Sequence, residues 1–197
     1  MEINWLEVKR KSFHLIAGII IVILLNLNLI GIAFLFLVLV AGIIFSIIAK
    51  FYPNSFFNWF LEHFDRDSDR NSIPGRGALT YLAGMVIALI LFQKDIALAS
   101  ILIMVVGDAV SPIVGMHFAK TKHIINQKKL VEGTIAGVFF AFLAALFFVS
   151  YLEAFLAAIT AMFIETIEFK YFKRSFFDDN IIMPITAGLV IYLIRLL

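Results

Sequence analysis

Seven apolar runs dominate this chain, at roughly 12–29, 31–49, 77–93, 96–118, 131–149, 151–168 and 180–196. A helix needs about 20 apolar residues to cross the hydrocarbon of a bilayer, and recurrence of such runs leaves few alternatives. Inside hydrocarbon no water satisfies the backbone, so a spanning chain is either helical or a closed barrel. The alternating ten-residue strands of a barrel are absent. The expected fold is therefore all-α: a polytopic membrane protein of about seven transmembrane helices, forming one domain over 1–197. Composition agrees, with 62% hydrophobic residues and a mean hydropathy of +1.02. The sixth run is short. The fourth is interrupted by Asp108 and Pro112 and is expected to open there. Ser12–Leu25 is long for a signal peptide's apolar region and lacks a small-residue cleavage site after it, so it reads as a retained first helix. The absence of cysteine excludes disulfide and thiol chemistry.

Positive charge supplies an orientation. Fourteen of the sixteen Lys and Arg residues fall before the first run or in the even-numbered connections; only Lys94 and Arg195 lie on the other side. That split predicts a cytoplasmic N-terminus and a C-terminus across the membrane. The segment 51–64, FYPNSFFNWFLEHF, is too short to span. Phe56, Trp59, Phe60 and Phe64 recur at helical spacing after Pro53, as in an amphipathic helix lying at the interface. It would serve as an anchor, or else as a gate for a lipid substrate.

An ionisable group at membrane depth is costly, which makes each one a candidate for function. Asp108 lies ten residues from the cytoplasmic end of its run, about 15 Å along a helix. Pro112 removes the hydrogen bond to the Asp108 carbonyl. Gly107 and Gly115 permit close approach of another backbone or of a ligand. Glu132, Glu165, Asp178 and Asp179 sit at membrane boundaries on the same side. A helix N-terminus would explain Glu132, Asp178 and Asp179 by its dipole, but not Asp108 or Glu165. Arg10, Lys11, His14, Arg76, Lys128 and Lys129 face the same vestibule. Carboxylates beside a ring of cations point to Mg²⁺ and phosphates, since Mg²⁺ takes one or two carboxylates plus phosphate oxygens. A proton or cation pathway would not need the cations. Two apparent motifs fail: VGMHFAKT has Val114 and Ala119 where a P-loop needs glycine, and the run from Asp65 has Arg70 and Arg76 where an EF-hand needs Gly and Glu. His117 and His123 lack metal-ligand spacing.

The stretch GDAVSPIVGMHFAKTKHIINQKKLVEGTIAG (107–137) resembles the CTP-dependent polyprenol kinase family, which includes dolichol kinases, phytol kinases and CTP-dependent diacylglycerol kinases. Its Gly-Asp, later Gly, basic loop and Lys-x-x-Glu-Gly (Lys129–Gly133) stand in the family's order. KRKSFHLIAG at the N-terminus and ETIEFKYFKRSFFDDNIIMPITAGL near the C-terminus resemble its flanking pieces. The resemblance implies transfer of the CTP γ-phosphate to a long-chain isoprenoid alcohol, giving a lipid phosphate and CDP. It implies that Asp108, Asp179 and Glu165 hold the divalent cation. Arg10, Lys11, Lys128 and Lys129 would grip phosphates, with Arg76, Gly107, Gly115 and Gly133 completing the nucleotide site. Glu132 would orient the cations, and His14 or Asp108 would take the hydroxyl proton. Phosphatidate cytidylyltransferases share the Lys-x-x-Glu-Gly but end in a His-Gly-Gly-x-x-Asp-Arg-x-Asp signature, which this chain lacks; they are the alternative. A small ion-coupled transporter, with a broken-helix site at Asp108 and Pro112, is the non-enzyme alternative. Expected partners are the bilayer, a lipid alcohol and CTP, with no nucleic acid; a homodimer is compatible with the sequence.

Overall fold

The computed structural model describes residues 5–52, 59, 61–62, 65, 69, 73–118, 121–123, 126, 129–167 and 178–197. Most of the expected interfacial helix at 51–64 and Lys128 lie outside these residues. Among them the chain is all-helical: α1 (Trp5–Asn26), α2 (Ile32–Phe51), α3 (Arg76–Leu91), α4 (Lys94–Phe118), α5 (Val131–Ala145), α6 (Tyr151–Thr166) and α7 (Asp179–Leu196). Three of these, α2, α4 and α7, are long and apolar enough to cross a membrane, fewer than the seven spans expected. The shortfall has a physical origin. Helices α3, α5 and α6 have only 16, 15 and 16 residues, below the roughly 20 that a perpendicular crossing takes. Helix α1 is long enough but begins before the apolar run, so Glu7, Lys9, Arg10 and Lys11 lie within its first two turns.

Local chemistry sets several of the boundaries. Asn28 adopts φ 56°, a left-handed conformation that Asn tolerates, where the chain turns from α1 to α2. Gly75 adopts φ 73° ahead of α3, and its N–H reaches Asp65 Oδ2 at 2.7 Å. Ser150 and Glu153 form a reciprocal capping box that starts α6. Asp178 accepts the Asn180 N–H at the start of α7.

Helix α4 is the axis of the bundle and packs against α1, α3, α5, α6 and α7. Every residue from Ile96 to Val105 is buried, which explains why this run is apolar on all sides. In contrast, α2 packs only on α3 among these contacts and leaves Phe34, Phe36, Leu37 and Ile44 outside. Helix α4 also corrects an expectation: it continues through Pro112 without a break. A proline inside such a helix is tolerated where neighbouring helices surround it.

Helices α4 and α5 meet backbone to backbone. Gly107, Ser111 and Gly115 recur every fourth residue on α4, and Gly133, Gly137 and Ala141 do so on α5. A methyl group at Gly133 would strike the Ser111 carbonyl and the Gly115 backbone; one at Gly137 would meet Ser111 and the Gly107 carbonyl. Small residues let two backbones approach where no hydrophobic force drives helices together. Gly133→Val should therefore lower stability by about 1–3 kcal/mol through overpacking. An unchanged melting midpoint in detergent would show that the contact is looser than described.

The two ends of the bundle differ in charge. At one end Arg195 bridges Asp95 and Glu153, both at 2.6 Å, and Lys94 reaches Asn28 Oδ1 at 2.7 Å. The two cations that the sequence separates from the rest thus share one end. The acidic and basic residues singled out above gather toward the other.

Candidate functional site

Lys11 projects from the second turn of α1 and meets Asp108 of α4, Nζ to Oδ2, at 2.5 Å. Both residues are more than nine-tenths buried. Neither charge would be tolerable there alone; together they neutralise each other at the α1–α4 contact. Arg10 is equally buried and is held by Glu7, one turn earlier, at 2.6 Å.

A second ion cluster lies within electrostatic reach of this pair. A tight turn builds it: the Lys129 N–H donates to the Asn126 carbonyl, the His123 N–H to the Lys129 carbonyl, and the Val131 N–H to the Thr121 carbonyl. This reversal carries Lys129 back under the end of α6. Its ammonium donates to Glu165 Oε1 at 2.6 Å and to the Glu165 carbonyl, and lies 3.5 Å from Asp179 Oδ2 at the start of α7. A cation at a helix C-terminus is favourable for its dipole as well. Burial works against the charged form of Lys129, but Glu165 and Asp179 outweigh it and hold its pKa above the usual lysine range. Asp108 interacts electrostatically with Lys11, Arg10 and Lys129, and Asp179 with Lys129, Asp108 and Lys11. Lys11, Asp108, Lys129, Glu165 and Asp179, with Arg10 beside them, form one field.

Glu165 Oε2 is buried and has no hydrogen-bond partner among the described residues. An orphaned carboxylate oxygen is expensive, and its usual explanation is an ion, a water or a functional demand. Beside it lies a cleft of about 120 Å³ lined by Ser111, Pro112, Gly115, Met116, Lys129, Leu130 and Glu165. No group of three His, Asp or Glu residues close enough to hold a metal occurs among the described residues. A cation that takes one or two carboxylates and fills its remaining positions with phosphate oxygens and water still fits Glu165 with its free oxygen.

The other expected site residues have varied fates. His14 packs against Tyr81 with the rings tilted by 54° and their centroids 4.8 Å apart, and its carbonyl accepts the Tyr81 hydroxyl at 2.7 Å. With Arg10, Asp65 and Gly77 it lines a separate cavity of about 60 Å³ between α1 and the start of α3. Arg76 lies 3.9 Å from Asp178. Glu132 accepts the Thr121 N–H at 3.1 Å, bracing the turn that presents Lys129. Gly107, Gly115 and Gly133 lie at close helix contacts, and Gly115 also borders the cleft. Sequence reasoning missed Glu7, Tyr81 and Ser111, as well as the Asn180–Thr80 hydrogen bond that ties α7 to α3. For Ser111 a signal existed, the four-residue spacing of small side chains from Gly107 to Gly115.

No protein-family profile matches the chain, and no solved structure does. The chain is similar to an uncharacterized protein, MJ1137, of Methanocaldococcus jannaschii, at 29% identity over 189 residues, covering 94% of this chain and 92% of that protein.

Proposed function

We propose that this protein is a membrane phosphotransferase that passes the γ-phosphate of CTP to a polyprenol-type lipid alcohol. The observation that carries this reading is the joined field of Lys11, Asp108, Lys129, Glu165 and Asp179, with one carboxylate oxygen left unpartnered. Cations able to grip phosphate and carboxylates able to hold a divalent ion converge at one end of an apolar bundle. The nucleotide and the acceptor come from the resemblance of 107–137 to the polyprenol kinases.

On this reading all seven helices cross the bilayer, with the N-terminus and the site on the cytoplasmic side and the C-terminus opposite. The short α3, α5 and α6 cross with modest local thinning, which costs fractions of a kcal/mol per Å of mismatch. The alternating direction of the helices supports this, as does the shared end of Lys94 and Arg195.

Lys129 and Lys11 would bind the β- and γ-phosphates, and Arg10 would add to the positive potential. Glu165 and Asp179 would hold Mg²⁺, which supplies charge neutralisation on the transferred phosphoryl group, while Asp108 would keep Lys11 in place. Phosphoryl transfer depends mainly on such positioning and neutralisation, so a lone dedicated base is not required. The cleft holds a phosphate end rather than a whole nucleotide, since pockets enclosing ligands of that size run to roughly 300–1,000 Å³. The acceptor hydroxyl stays at the headgroup level, which suits a site at the end of the bundle. A transporter would rest on a broken helix at Pro112, and α4 is continuous there.

Purified protein in detergent, given CTP labelled in its γ-phosphate and a panel of polyprenol, phytol and diacylglycerol, should yield labelled lipid phosphate and CDP. Labelled pyrophosphate with an unlabelled lipid would instead mark a cytidylyltransferase. Absence of any nucleotide turnover across the panel would overturn the reading.

A further inference from the structure

We propose that this site takes up a divalent cation and a polyphosphate only together, through an exchange of ion-pair partners. The inference rests on the phosphotransferase reading above and adds a rule about binding to it. Both lysines that would grip phosphate are already engaged by carboxylates. Lys11 is held on Asp108 at 2.5 Å, and Lys129 on Glu165 at 2.6 Å with Asp179 at 3.5 Å. Lys11, Asp108 and Glu165 are buried, so solvent compensates a lost partner poorly there, while Lys129 and Asp179 are partly exposed and open to an arriving ligand.

Three cases follow from charge alone. A polyphosphate arriving alone must draw Lys129 away and leave Glu165 and Asp179 uncompensated beside its own negative charge. A divalent cation arriving alone must draw those carboxylates away and leave the Lys129 ammonium beside it. Either step costs a broken buried pair. When both arrive, phosphate oxygens replace Glu165 and Asp179 on Lys129, and the metal replaces Lys129 on those two carboxylates. Every charge then has a partner, and the unpartnered Glu165 Oε2 gains one. The resting pairs thus act as a lock that two ligands open jointly. This coupling belongs to the protein and differs from the affinity of Mg²⁺ for CTP in solution, because removing one lysine should abolish it.

The test is calorimetry and thermal melting on the full chain in detergent. The ligands are MgCl₂ alone, CTP alone in EDTA, and both. For the natural sequence, each ligand alone should bind at least about tenfold more weakly than in the presence of the other, within the usual range of coupling between two ligands. Lys129→Met leaves Glu165 and Asp179 unpaired, so Mg²⁺ alone should now bind and raise the melting midpoint. Glu165→Gln provides the reverse arm: CTP in EDTA should gain affinity because Lys129 is released from its main partner. Lys129→Arg keeps the pair and should keep the requirement for both ligands. Should Lys129→Met fail to fold, Glu165→Gln still decides the question. Tight binding of Mg²⁺ alone or CTP alone to the natural sequence would overturn the exchange and leave the phosphotransferase reading standing. No binding even with both ligands would overturn both.

Discussion

Lys11→Met is expected to destabilise the protein by about 3–5 kcal/mol, because it strands the Asp108 carboxylate without its partner. The pair is buried on both sides, with the two residues 97 positions apart in sequence. Breaking it therefore loosens α1 from the central helix rather than merely exposing a surface charge. The double variant Lys11→Met/Asp108→Asn removes both charges and should recover most of that loss. Denaturation of the detergent-solubilised variants measures this directly. A single variant as stable as the natural protein, or a double variant no better than the single, would mean that the contact carries no stability.

Asp108→Asn should reduce CDP release by about 10²–10³-fold, the range seen when one preorganised charge-stabilising group is removed from an active site. The comparison must be made per folded molecule, since the substitution also leaves Lys11 without its partner. The Lys11→Met/Asp108→Asn variant serves here as well: it should fold and be equally inactive. Release within about twofold of the natural rate in folded Asp108→Asn would remove Asp108 from the catalytic field and leave the metal role with Glu165 and Asp179.

How much of this was legible beforehand differs from residue to residue. The run 96–118 predicted α4 closely, because a helix buried on every side must be apolar on every side. Its proline was misread as a break, since sequence shows the lost hydrogen bond but not the neighbouring helices that make the loss tolerable. Asp108, Lys129 and Glu165 stood out from their neighbours as charges in or beside apolar runs. Nothing in their spacing said that Lys11 would pair with the first and Lys129 with the second. Gly107 was legible as a place where another backbone or a ligand comes close, and the structure shows the helix contact; Gly133 lies at the same crossing. His14, expected in the same vestibule, packs against Tyr81 beside a second cavity and stays within electrostatic reach of Arg10, Lys11 and Asp108.

What could be read from the chain alone was whatever acts locally or statistically. Long apolar runs demand helices, because hydrocarbon offers no other partner to the backbone. The charge bias predicted that Lys94 and Arg195 would sit apart from the other cations, and they occupy one end of the bundle. The tertiary structure decided which charges neutralise one another, across separations of 97 and 36 residues. It also decided that Glu165 keeps one oxygen without a described partner. Those outcomes depend on how α1, α4, α5 and α6 approach one another, and at the α4–α5 crossing that approach is set by small side chains. A pairing between distant residues leaves no periodic trace in sequence, because it exists only once the helices have packed.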